Sequence, residues 1–317
     1  MRSHSGGAWD NVKRQVIDAQ AMPSEDKNVP PRKPVRTLRM RRLGSELRRI
    51  REEVDLTRED VTEATNINSA TLYRIESART RPQLRTLYAL CDLYKVSESK
   101  RAELTALTKE ANNTQGWLET YPSELPEEYT NYIQFEAEAK AIRNYESLFV
   151  PGLLQTEDYC QAVIQGTLPL ASDNEVKDRV QARMKRQELL HKPENPLRLR
   201  AIIDEAVLHR VVGGQHVMRE QLLHLTTMTR TPHVELQVIP LTGGAHPGMP
   251  GSFILIDFPE DPSVVYIDSM AGDLFLESPV DVERYALILE HLVGLAVSPH
   301  DSRQLITSVA EQMKDPS

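Results

Sequence analysis

From residue 38 to residue 107 apolar side chains recur every three or four positions, in short runs broken by Asp, Asn, Ser and Pro. That is the period of helices that bury one stripe. Leu43, Leu47 and Ile50 form the first stripe, Val61 and Ala64 a small second one, and Leu72 with Ile75 a third. Leu84, Leu87, Leu90 and Leu93 make a fourth, and Leu104 with Leu107 a fifth. The punctuation between them is equally informative. Thr57 followed by Asp60 is a helix start, in which the threonine caps free amides of the first turn. Asn66-Ile67-Asn68 sets two turn and cap residues around one apolar plug, so a second short helix starts at Asn68. On that helix Leu72 and Ile75 face inward, while Ser69, Ala70, Tyr73 and Arg74 stay outside. Two short helices joined by a tight turn are the layout of a helix-turn-helix.

Past Gly116-Trp117 the pattern alternates between helix and strand. Tyr132, Phe135, Ala139, Ile142 and Tyr145 form one stripe and predict a helix over Glu127 to Ser147. Thr156 caps a helix reaching Gln165, and Ser172 with Glu175 opens another that runs to His191. Strands are predicted at LRLRAIID from Leu197, HVELQVIP from His233, GSFILIDF from Gly251 and VVYIDS from Val264. Ser278-Pro279 and Ser298-Pro299 each open a helix, with serine capping and proline in the first helical position. The expected architecture is an all-α N-terminal domain followed by an α+β domain with a small, mainly antiparallel sheet. The expected boundaries are an arm at 1–36, the helical domain at 37–112 and the α+β domain at 113–317.

Charge sharpens this division. The chain of 317 residues carries a net charge of −8, which by itself argues against nucleic acid. From Pro30 to Arg101, however, 17 Lys and Arg face 10 Asp and Glu, and from Ala102 onward the count is 17 against 32. A basic module thus precedes an acidic one, and only the first suits phosphate. No run of eighteen apolar residues occurs and the N-terminus lacks the apolar core of a signal peptide, so a cytoplasmic protein is expected. Cys91 and Cys160 sit in apolar helical patterns and read as buried free thiols.

The stretch LYRIESARTRP resembles the recognition-helix end of Xre-type, phage-repressor-like helix-turn-helix proteins, and the likeness runs from Leu38 to Val96. Asp55 stands where that family usually has glycine; Asp tolerates the left-handed conformation better than most residues. The resemblance implies binding to double-stranded DNA as a homodimer on an inverted-repeat operator, with the second motif helix in the major groove. It also implies an ion pair between Arg51 and Glu76. Asn68, Ser69, Tyr73 and Arg74 share the outer face and are candidates for base contact, Arg74 foremost because its fork fits guanine. Thr57, Arg58, Arg79 and Arg81 are candidates for phosphate contact.

The segments EAEAKAIRNYESLFVPGLLQTEDY and RVQARMKRQELL, with the SPHDS turn, resemble the C-terminal domain of a group of actinobacterial regulators. That group places an effector domain of unknown function behind an Xre-type helix-turn-helix, and many members are described as antitoxin-like, with a small cognate partner protein. The likeness implies a transcription regulator whose second domain binds a partner protein or a ligand. Arg179, Arg183 and Arg186 lie on one helix face, which reads either as a solvated face bridged to Glu175, Asp178 or Glu188 or as a carboxylate-accepting surface, for which Glu136 is the internal partner if buried. Leu153 and Leu154, beside the Pro151-Gly152 bend, are further candidates for partner contact, with buried packing against the following helix as the alternative reading. His216, Glu220 and His224 are spaced by four, but the glutamate is not beside the first histidine as in zinc proteases, and they read as an exposed helix face. With no nucleophile elbow, phosphate loop or C-x-x-C, neither catalysis nor a metal or cofactor is expected.

Overall fold

The computed structural model describes residues 38–110, 125, 127–269 and 272–313, which belong to one compact unit. The arm expected at 1–36 and the boundary expected near Gly116-Trp117 lie outside the described residues. Five helices come first: α1 (Leu38–Glu53), α2 (Arg58–Thr65), α3 (Ser69–Glu76), α4 (Leu84–Leu93) and α5 (Glu98–Glu110). Their buried stripes meet in one core of Leu43, Leu47, Ile50, Val61, Leu72, Ile75, Leu87, Leu90 and Leu104, so the periodicity translates directly into packing. Ala64 does not join it; it is exposed, and Val61 alone lines the inner face of α2. Thr57 and Asp60 form a reciprocal capping box at the start of α2. Asp55, at φ 55°, takes the left-handed conformation of the turn before α2, and Asn66, at φ 59°, does so at its end.

Gly44 explains how closely α1 and α3 approach. A Cβ built there would lie 2.6 Å from the Ile75 carbonyl oxygen and 2.8 Å from that of Glu76. Both obstacles are backbone, so no rotamer change relieves them.

The rest of the described chain comprises α6 (Glu127–Glu138), β1 (Ala141–Glu146), α7 (Glu157–Thr167), α8 (Asp173–Arg186), β2 (Arg198–Asp204), α9 (Ala206–His209) and α10 (Gln215–Met228). There follow β3 (Val234–Ile239), β4 (Phe253–Asp257), β5 (Val264–Ile267), β6 (Leu274–Leu276), α11 (Pro279–Leu295) and α12 (Pro299–Gln312). The strands form one six-stranded sheet in the order β3-β2-β1-β4-β5-β6. β1, β2 and β3 pair in parallel, and β4, β5 and β6 add antiparallel strands at the β1 side.

This corrects the small, mainly antiparallel sheet expected from sequence. The predicted helix over Glu127 to Ser147 is two elements, α6 and β1, and β1 lies within the sheet. Its residues alternate between two cores: Ile142 packs in the larger one with Leu199, Ile203 and Ile256, and Tyr145 in a second with Ile202, Leu255, Leu289 and Leu292. A strand buried on both faces carries apolar residues at either parity, so a helical period fits it by accident. Once β1 is a strand, the helices between it and β2, and between β2 and β3, become parallel crossovers. Among the described residues no helix is long and apolar enough to cross a membrane.

Gly44→Ala tests the α1–α3 contact. Helix propensity alone would favour alanine by about 1 kcal/mol, whereas overpacking against rigid backbone costs about 1–3 kcal/mol. A fall in thermal midpoint of several degrees is expected; a rise would mean that the helices separate freely.

Candidate nucleic-acid interface and a polar cavity

The recognition-like helix α3 is held from behind by one carboxylate. Glu76, its last residue, has a side chain only 1% exposed. Arg51 of α1 donates to it from Nε at 2.6 Å and from Nη2 at 3.3 Å, and Arg58 of α2 from Nε at 2.8 Å. Arg51 also donates to the Leu56 carbonyl oxygen at 2.7 Å. One buried acid thus joins three helices, and the hydrogen bond and charge of Glu76 raise the pKa of Arg51. A buried carboxylate is tolerable only with such partners, and removal of one partner of a buried pair costs about 3–5 kcal/mol.

With its rear fixed, α3 turns its other side to solvent. Asn68 caps the helix, its Oδ1 accepting from the Ala70 amide at 2.8 Å. Tyr73 is 44% exposed and Arg74 is also exposed, the latter donating from Nη2 to Thr71 Oγ1 at 3.1 Å. Ser69 donates to Glu59 at 3.1 Å. Ala78, at φ 54°, turns the chain after α3, and the amides of Arg79 and Thr80 both donate to the Arg74 carbonyl oxygen. That fold-back brings the Arg79 guanidinium to 5.4 Å from the Tyr73 ring centre, with Arg58 at 5.3 Å. The ring therefore carries two cations beside it, an arrangement that suits a phosphodiester backbone.

Two of the expected phosphate contacts have other engagements. Arg58 commits its Nε to Glu76, and the Thr57 hydroxyl donates to Asp60 at 2.6 Å while accepting from the Asp60 amide. Sequence reasoning paired Glu76 with Arg51 alone; the second arginine was missed because its place at the start of α2 suggested phosphate.

The arginine face of α8 does not form a single outward surface. Arg179 pairs with Glu175 on its own helix, donating from Nη2 at 3.0 Å. Arg186 is 4% exposed and enclosed by α6. Its Nε donates to Glu136 Oε2 at 2.6 Å and its Nη2 to Oε1 at 2.8 Å; Nη1 reaches the Tyr129 hydroxyl and Nη2 also the Tyr132 hydroxyl. Burial alone would lower the pKa of Arg186, but the Glu136 charge beside it more than offsets that and raises it.

Leu153 and Leu154 are 3% and 0% exposed members of the main core and offer no surface to a partner protein. Their loop is tied inward by side-chain amides. Gln155 donates to the Val150 carbonyl, Gln187 to those of Gly152 and Gln155, and Gln221 to that of Leu154. The loop has its own hydrogen bonds, so its leucines point into the core.

Between α8 and the sheet lies a cavity of about 330 Å³. Arg179, Arg183 and Arg186 line one side; Asn144 and Glu146 of β1 and Asp268 after β5 line another, with Tyr129, Phe149, Phe253 and Tyr266 among the remaining walls. Burial pushes the Glu146 carboxyl up to about 7, despite hydrogen bonds from Ser252 and Asn144 that act the other way. Burial also raises the Asp268 carboxyl. Sequence reading missed Asn144 and Glu146 because it placed them on a helix. As strand residues they share the face of Ile142, where an Asn and a Glu in an apolar setting are conspicuous.

His216 and Glu220 are exposed on α10 and His224 is half-buried on the same helix. Cys91 and Cys160 are buried and free.

The raised carboxyl of Glu146 makes stability pH-dependent. Its ordinary value is 4.5 and its folded value about 7. The native state therefore holds this proton more tightly, and stability is lost as pH rises from 4.5 through 7. Glu146→Gln, neutral at every pH, should be more stable than the parent by about 3 kcal/mol at pH 8. In urea titrations the two curves should converge as the pH is lowered towards 4.5. A gap independent of pH would show that folding does not shift this carboxyl.

A helix-turn-helix domain model matches residues 42–104, and the model of a domain of unknown function (DUF5753) matches residues 129–308, more than half of the chain. No curated protein and no solved structure matches it.

Proposed function

Because the chain belongs to the DUF5753 family and carries a helix-turn-helix domain ahead of that domain, we propose that it is a sequence-specific, Xre-type transcription regulator. In this reading the protein works in the cytoplasm as a homodimer on an inverted-repeat operator. Its second domain is an effector module that tunes DNA affinity and performs no catalysis. The observation that carries the reading is the geometry of α3: its inner side is anchored through Glu76, and its outer side presents Tyr73 and Arg74, with Arg79 beside them. An arginine on a fixed helix can fork to guanine N7 and O6, while arginines in the following loop hold phosphates. The net of +7 over Pro30 to Arg101 favours the duplex, and the net of −15 from Ala102 onward keeps the second domain off it.

A physical link supports coupling between the two domains. Arg41 of α1 is 7% exposed, with its guanidinium carbon 4.4 Å from the Phe135 ring centre and 5.0 Å from that of Phe275. It also pairs with Glu277 at 2.8 Å. Phe135 is on α6, the helix that supplies Tyr129, Tyr132 and Glu136 to Arg186. Phe275 stacks on Tyr266, a wall of the cavity, with ring centres 5.1 Å apart. The same α1 carries Arg51 to the end of α3. A shift in the cavity wall therefore has a packed route to the helix that reads DNA.

Arg74→Ala should weaken binding to the operator by about 1–3 kcal/mol and relax preference at one base pair, measured by titrating operator and single-base variants. Equal loss on operator and random DNA would assign Arg74 to phosphate instead. Arg79→Ala and Arg81→Ala should each weaken all sequences alike and reduce the slope of log affinity against log salt by about one. An unchanged slope would remove that arginine from the interface.

A further inference from the structure

The cavity beneath α8 contains polar groups that its own protein does not satisfy. Arg186 is fully engaged by Glu136, Tyr129 and Tyr132, and Arg179 by Glu175. Arg183 is different: Nη1 donates to Gln155 Oε1 at 3.0 Å and the guanidinium also meets the Tyr129 hydroxyl and the Cys160 thiol, but its Nε is buried without an acceptor and it has no carboxylate partner. Across the cavity Asn144 is 4% exposed, and its Oδ1 has no donor. Its amide is directed at Glu146, two residues along the same face of β1. Among the described residues neither Glu146 nor Asp268 has an ion-pair partner, although both line the cavity. Native interiors rarely leave a buried donor and a buried acceptor unpaired on two residues that line one cavity, and each such group calls for an explanation.

The charges narrow what can fill the space. A simple anion would meet Arg183 but leave Asn144 Oδ1, an acceptor, without a donor. A simple cation would meet those acids but also Arg183, which carries no carboxylate partner of its own. A molecule with both charges at one end satisfies both walls at once. The volume of about 330 Å³ lies at the small end of organic ligand sites, and the aromatic walls accept an apolar group.

We propose that this cavity binds a free α-amino acid: Arg183 receives its carboxylate, Asn144 Oδ1 and Glu146 receive its ammonium, and the aromatic walls receive its side chain. The proposal rests on reading the second domain as an effector module, and it names the chemistry of the effector. Occupancy would draw α8 and β1 towards a common ligand, next to the Tyr266–Phe275 pair that leads to Arg41. Binding itself is measurable without DNA, so the two claims separate.

The experiment titrates the full chain with each of the standard L-amino acids, at up to ~10 mM, in a calorimeter. For any that binds, the amine lacking the carboxylate and the acid lacking the ammonium follow. Saturable one-to-one binding of at least one amino acid is expected, with both matched analogues at least tenfold weaker. Arg183→Met should weaken the amino acid about tenfold and leave the amine unchanged, a change of selectivity that misfolding cannot imitate. Absence of binding by every amino acid overturns the proposal. So does an acid analogue that binds as tightly as its parent, which would make this an anion site, or an Arg183→Met chain with undiminished affinity for the amino acid. Operator titration with and without the bound amino acid then tests the effector reading. Binding with no change in operator affinity would sink that reading and leave the site intact. An operator affinity that responds to Phe275→Ala, when no amino acid binds, would leave the reading and sink the site.

Discussion

Everything the N-terminal domain presents to solvent depends on a single buried acid. Glu76 ends α3, and its two oxygens are divided between Arg51 from α1 and Arg58 from α2. Hydrophobic packing alone lets short helices slide by fractions of a turn, because Leu72 and Ile75 of α3 would be buried in several rotations. Charge-assisted hydrogen bonds have direction and length, so they select one. Gly44 adds the complementary constraint, since it lets the backbone of α1 come close enough to α3 for Arg51 to reach. Orientation is therefore specified by one polar contact and one missing side chain, within a core that supplies most of the stability.

The second domain uses the same device with a different outcome. Glu136 is as deeply buried as Glu76 and is likewise held by arginine, here Arg186, with two tyrosine hydroxyls completing the shell. Around Glu136, Arg186, Tyr129 and Tyr132 also line a cavity, on whose other lining residues Arg183 and Asn144 polar atoms are buried without partners. A satisfied network next to an unsatisfied one makes a rigid back wall with a receptive front, and ligand sites require that combination of preorganisation and unmet demand.

How far the sequence reveals this differs between the two halves. The helical domain was legible because each short helix buries one stripe, has recognisable caps and ends at Asn, Asp or Pro, so periodicity and burial say the same thing. Only Ala64, too small to signal its side, was misplaced. The α+β half was legible in β2 to β5, which Gly, Pro and Asp bound clearly, but not in the three-residue β6. It was not legible at β1, whose neighbours on both faces make Ile142 and Tyr145 equally apolar and leave no alternation to detect. That single misreading hid the parallel half of the sheet and disguised Asn144 and Glu146 as surface residues. Leu153 and Leu154 were open to misreading for another reason: the glutamines that hold their loop inward, Gln187 and Gln221, are distant in sequence. Glu136 was expected to draw a partner from the arginine face, though not Arg186 in particular, since a lone acid in an apolar stripe requires a cation wherever the fold can bring one.

The position of Arg41 bears on how chains of this design can be recombined. Domains that are joined only by a tether can be exchanged between proteins without loss, since neither surface depends on the other. Here a basic residue of the first domain lies against a pair of aromatic rings and beside an acid of the second. A transplanted C-terminal half would arrive with Phe135, Phe275 and Glu277 facing whatever residue its new host has at that place on the first helix. Without an arginine there, the aromatic pair would be open to water and the acid left alone. Compatibility between the halves thus involves neighbouring positions of the first helix, since Arg42 also pairs with Glu260 at 3.4 Å and Asp261 at 3.5 Å, and the ancestry of such hybrids should be traceable through them.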